Sequence, residues 1–80
     1  MWAENKYRQH DHGAQSNLGV MYDQGQGIPQ DDVLAHMWYN IAASQGIELA
    51  IKKRDLVTEE MTSEQIIEAQ KLAREWKPTE

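Results

Sequence analysis

AQSNLGVMYDQGQGIPQDDVLAHMWYNIAASQG, residues 14–46, reads as two helices joined by a glycine turn. In its first half Ala14, Leu18, Met21 and Tyr22 recur at i, i+4, i+7 and i+8, which puts them on one face of a helix. Gly19 falls inside that helix, where glycine costs about 1 kcal/mol relative to alanine. Its use there is to let a neighbouring helix approach where a Cβ would obstruct it. Gly25 and Gly27 supply the left-handed conformation that ends a helix, and Pro29 pushes Ile28 into an extended state. Asp31 then offers its carboxylate to the free N–H groups of a second helix. In that helix Val33, Leu34, Ala35, Met37, Trp38, Tyr39, Ile41, Ala42 and Ala43 do not fit one stripe. It is therefore predicted to lie between its partner and a further element, with Gly46 closing it.

After the hairpin, residues 48–60 read as a third helix with Leu49, Lys53, Leu56, Val57 and Met61 inward and Lys52, Arg54 and Glu59 outward. Thr62 and Gln65 have the spacing of a capping box, and Ile66, Ala69, Ala73 and Trp76 follow at three- and four-residue steps. A fourth helix is expected over 63–76, with Pro78 ending it. The expected fold is all-α, with about four helices near 14–24, 31–45, 48–60 and 63–76. Its organisation is an arm or short helix over 1–13, a repeat hairpin over 14–46 and a closing helix pair over 47–80. Beyond Met1 the arm has only Trp2, Ala3 and Tyr7 as apolar residues, and the expectation is a short helix docked on the Met21 and Tyr22 face, the alternative being a frayed segment.

The order A-Q-x-x-L-G-x-x-Y, then G-x-G-x-P-x-D, then A-x-x-W-x-x-x-A-A-x-x-G resembles the Sel1-like repeat, a relative of the tetratricopeptide repeat. Ala14, Leu18, Gly19, Tyr22, Gly25, Gly27, Asp31, Ala35, Trp38, Ala42, Ala43 and Gly46 all stand where the family pattern has them. The closing MTSEQIIEAQKLAREW also looks like the last helix of some bacterial Sel1-like proteins. The resemblance implies antiparallel helical hairpins stacked as a short α/α solenoid that binds other proteins or peptides. The family's defining residues build the fold and perform no chemistry.

In the related tetratricopeptide scaffold the inner groove is lined by first-helix positions that flank the Leu-Gly pair and the following tyrosine. Carried over through Leu18, Gly19 and Tyr22, the resemblance implies a partner-binding groove of Ser16, Asn17, Val20, Asp23 and Gln24. The Asn17 amide both donates and accepts, which suits an extended peptide backbone. The competing reading is that these are ordinary surface residues of a helix.

Charge and composition narrow the partner. Thirteen acidic against eight basic residues give a net charge of -5, which provides no drive toward nucleic acid or anionic membrane and favours a basic partner. With no cysteine there is no disulfide framework, thiolate nucleophile or thiolate metal site, in keeping with a reducing cytosol. No run approaches the ~20 apolar residues of a membrane span, and MWAENKYRQHDH lacks the apolar core of a signal peptide. A cytoplasmic protein is expected, or a secreted or periplasmic one if a leader has been removed.

Candidate chemistry is thin. His10, Asp11 and His12 have a ligand-like step without matched ligands elsewhere, so neither a metal nor a cofactor is expected. His36 lacks a nucleophile in a recognisable setting and reads as a hydrogen-bonded or edge-exposed histidine of the hairpin. Asp31 and Asp32 start a helix and Glu59 and Glu60 end one, which suits dipole and solvation roles. Met37, Trp38, Tyr39 and Trp76 read as core. The cysteine-rich pattern of relatives described as β-lactam-binding or hydrolysing is absent, so a non-enzyme is expected. A dedicated inhibitor or immunity protein for a basic toxin or nuclease is the alternative to a general adaptor. Solenoids need about three units to bury a continuous core, so either the closing pair caps the repeat as a compact four-helix domain or chains stack through the open side beside Ala14 and Tyr22; self-association is predicted, with Trp2 and Tyr7 near the contact.

Overall fold

The computed structural model describes residues 12–77, and these form four helices and no strand. They are α1 (His12–Gln24), α2 (Asp32–Ser44), α3 (Glu48–Thr58) and α4 (Ser63–Glu75). The all-α expectation holds, with each boundary within two residues of its predicted place. The expected arm helix with Trp2 and Tyr7, and the His10 and Asp11 pair, lie outside the described residues, as does the side chain of His12.

Several helix ends are satisfied by groups close in sequence. The α1–α2 turn begins at Gly25, with φ 68°, and folds back on the end of α1. The Gln26 N–H donates to the Met21 carbonyl at 3.1 Å, the Asp31 N–H to that of Tyr22 at 3.0 Å, and the Gln30 side chain to that of Asp23 at 3.0 Å. Three carbonyls that a helix C-terminus leaves without intrahelical partners are thereby paired. Asp31 is the N-cap of α2, its carboxylate accepting from the Leu34 N–H at 3.1 Å. Thr62 and Gln65 form both bonds of the capping box at 2.9 and 3.1 Å.

Helix α2 is the axis of the molecule, and α1, α3 and α4 each pack chiefly on it. Leu18 of α1 joins Met37, Trp38 and Ile41 in one buried cluster, which Met21, Tyr22, Leu72, Ala73 and Trp76 border. There the Trp38 and Trp76 rings meet edge to face, centroids 5.7 Å apart at 72°. Ala35 and Tyr39 form a second cluster with Val57 of α3, bordered by Val20, Tyr22 and Met61. The sandwiched second helix read from the sequence is therefore present, with neighbours on three sides.

Helix α3 keeps its predicted orientation at Val57, which is buried, and at Lys53 and Met61, which are half-buried, but not at its two leucines. Its buried positions are Ala50 and Val57, with Arg54 and Met61 half-buried on the same stripe, whereas Leu49 and Leu56 are 57% and 65% exposed. The expectation placed the leucines inward by their helical spacing with Lys53, Val57 and Met61. Packing chooses otherwise: α3 leans on one main neighbour, so its contact stripe is narrow and is set by small Ala50, which lets the backbones approach.

Candidate functional site

Tyr39 organises the α1 surface from beneath. Its ring is fully buried under Gly19, where a Cβ would stand 2.5 Å from ring atoms Cδ1 and Cε1. Its hydroxyl donates to Asp23 Oδ2 at 3.1 Å. Burial, and then the Asp23 charge and hydrogen bond, hold the phenol well above its ordinary range, so it stays a donor at any physiological pH. α1 is thus tied to α2 by a ring against a backbone and by a charge-assisted hydrogen bond.

The five groove residues divide into two rows. Ser16, Val20 and Asp23 are half-buried and recur at i, i+4 and i+7 on one flank of α1. Val20 packs on the Ala35, Tyr39 and Val57 cluster, and Asp23 is held by Tyr39. These two residues therefore support the fold as well as the surface. Asn17 and Gln24, at i and i+7, are exposed on the outer flank. Gln24 Oε1 accepts from Gln26 Nε2 at 2.7 Å. Asn17 makes no side-chain hydrogen bond to the described residues, leaving both its donor and its acceptor available.

His36 is neither hydrogen-bonded at Nδ1 nor edge-exposed, contrary to the sequence reading. It is 3% exposed on the face of α2 toward α3, with Nδ1 unpartnered. Desolvation first, and the Arg54 cation second, push its pKa below the usual histidine value against a smaller opposing effect of Asp55. The imidazole is thus held neutral. Arg54 donates to Asn40 Oδ1 at 3.0 Å and lies 3.5 Å from Asp55, so this guanidinium serves the α2–α3 joint. No hydrogen bond joins His36 to a hydroxyl among the described residues. Asp31 is occupied as a cap, while Asp32 has one buried oxygen without a partner. Glu59 and Glu60 are exposed at the end of α3.

Trp76 does more than fill core. Beyond its contact with Trp38 it walls an open cleft of about 410 Å³ between the ends of α2 and α4, together with Asn40, Ser44, Gln45 and Arg74. Among the described residues no group of three or more His, Asp or Glu side chains is placed to hold a metal ion, and no helix is long and apolar enough to cross a membrane. The exposed leucines of α3 are the surface feature that periodicity missed. Lys52 and Lys53 between them were the available signal, since charge in the middle of a helix face marks that face as solvated.

Residues 12–47, which contain α1, the turn and α2, match the family model of the Sel1 repeat. No curated protein matches the chain, and no solved structure does.

Proposed function

Because α1 and α2 form a Sel1 repeat, and such repeats generally mediate contacts between proteins, we propose that this chain is a non-catalytic scaffold that binds a protein or peptide along α1. The observation that carries the reading is Asn17. It is an uncommitted amide on the solvent side of a helix whose opposite side is clamped by the Gly19–Tyr39 contact and the Tyr39–Asp23 hydrogen bond. A rigid element presenting a free donor and acceptor binds an extended backbone with little ordering cost of its own.

Ser16 and Gln24 extend the polar surface on either side of Asn17, and Val20 gives it an apolar floor. The net charge of -5 draws a basic partner at long range, a rate effect that falls with added salt. His36 has no part in this reading, because its burial serves packing between α2 and α3.

The test separates binding from folding. A stoichiometric partner is identified by affinity capture from the source cell and then titrated by calorimetry against the wild-type chain, Asn17→Ala and Leu18→Ala. Asn17→Ala is expected to weaken binding by about tenfold with an unchanged melting temperature, the size of a moderate interface contact. Leu18→Ala should lower both. Wild-type affinity in Asn17→Ala would remove α1 as the binding surface.

A further inference from the structure

We propose that the joint between α2 and α3 is an acid-sensitive latch, in which protonation of His36 releases α3 while α1 and α4 stay packed on α2. The inference goes beyond the scaffold reading and uses none of the α1 surface residues on which that reading stands.

His36 lies at the joint itself. It is buried on α2, and one turn further along the same face Asn40 accepts a hydrogen bond from Arg54 of α3 at 3.0 Å. His36 Nδ1 is buried and has no hydrogen-bond partner among the described residues. A neutral imidazole can keep its proton on Nε2 and leave Nδ1 as a bare acceptor. The imidazolium carries a proton on both nitrogens, and its Nδ1–H is then a buried donor with no acceptor among those residues, the costlier of the two states.

The surrounding charges act in the same direction. Burial and then the Arg54 cation disfavour the imidazolium, and Asp55, which lies 3.5 Å from Arg54, opposes them without offsetting them. Among the described residues no charge of α1 or α4 bears on His36. Asp32, one turn back on α2, forms neither a hydrogen bond nor an ion pair with it. Moving α3 away removes both obstacles together, because it opens the imidazole to water and withdraws Arg54.

The packing lets α3 leave by itself. It buries Ala50 and Val57 and leaves Leu49 and Leu56 exposed, and it packs chiefly on α2. α1 and α4 are held elsewhere, through Leu18 on one side and Leu72, Ala73 and Trp76 on the other, at the cluster of Met37, Trp38 and Ile41. No residue of α3 belongs to that cluster, so its opening leaves the cluster closed. The released state binds the His36 proton more readily than the closed one, and acid therefore favours release. The effect sets in near the ordinary histidine value of about 6.5, grows as the pH falls and levels off below the lower value of the closed state.

Amide hydrogen exchange of the full chain between about pH 7.5 and 5, expressed as protection factors so that the intrinsic pH dependence of exchange is removed, tests the latch. The α3 amides are expected to be less protected than those of α2 and to exchange with little dependence on added urea, the mark of a local opening. Their protection should fall by up to about tenfold per pH unit below about pH 6.5. In His36→Gln and His36→Phe, which do not titrate, α3 protection should stay level over the same range. The His36 ring resonances of the wild-type chain should titrate with a midpoint below the ordinary value, a measurement that decides the matter even where neither variant folds. Wild-type α3 protection that acid leaves unchanged, α3 amides that exchange only together with those of α2, an acid loss that persists in a folded variant, or a His36 midpoint at or above the ordinary value would each overturn the inference.

Discussion

Replacing Gly19 by alanine puts a methyl group where Tyr39 already is. On an open helix face the change stabilises by about 1 kcal/mol, because glycine is the poorer helix former. Here the added Cβ stands 2.5 Å from both Cδ1 and Cε1 of Tyr39. Carbon atoms prefer separations of about 3.5–4.0 Å, so ring and helix must part by roughly 1 Å. The ring has nowhere to go: it is fully buried and its hydroxyl is held by Asp23. Overpacking of this kind costs about 1–3 kcal/mol, and two close ring atoms on an immobile side chain place it at the upper end. The expected net loss is about 1–2 kcal/mol, a fall in melting temperature of about 5–15 °C for a chain this small. Urea denaturation followed by tryptophan fluorescence measures it, with Asn17→Ala on the same helix as the control that reports propensity alone. A Gly19→Ala chain as stable as wild type would mean that α1 and α2 do not meet at Tyr39, and the account of the surface above them would go with it.

Trp38→Ala should cost about 3–5 kcal/mol, since it removes a large ring that Trp76 meets edge to face and leaves a cavity among Leu18, Met37 and Ile41; a thermal melt near wild type would contradict the burial of α2 on several sides. Asp23→Ala deprives the buried Tyr39 hydroxyl of its acceptor and should cost about 1.5–3 kcal/mol, whereas Asn17→Ala stays within about 0.5 kcal/mol, so equal urea midpoints for the two variants would refute the tie. His36 has its pKa lowered on folding, so the unfolded chain binds more protons and the contribution of His36 to stability is intact above the unfolded value near 6.5. It should fall as the pH drops from there toward the lower folded value, with a slope of at most about 1.4 kcal/mol per pH unit, and urea midpoints of wild type and His36→Gln at pH 8 to 5 should diverge from the acid side only.

Signals confined to a few neighbouring residues were readable with little error. The Asp31 cap, the Thr62 and Gln65 box and the Gly25 turn are each built from groups within a few positions of one another, so their chemistry is complete in the local sequence. Gly19 was half readable: a glycine within a helix announces a close neighbour and does not name it. For the candidate surface the resemblance supplied five positions on α1, and their division into a half-buried row and an exposed one depends on how α1 packs, which the local sequence does not carry.

What the sequence determined by itself was four helices, their ends and the hairpin that matches the Sel1 repeat model, because helix periodicity, capping and left-handed glycine turns are set by interactions within a turn or two of chain. What only the tertiary structure decided was which side of each helix meets which neighbour. The sequence reading turned Leu49 and Leu56 inward together with Val57, yet α3 approaches α2 through Ala50 and Val57 and leaves the leucines largely exposed. It likewise buried His36 between helices and placed the Asp23 carboxylate on the Tyr39 hydroxyl sixteen residues away. A helix carries its apolar pattern in its own residues, but the width and direction of the stripe it buries depend on how many neighbours surround it and how closely their backbones approach.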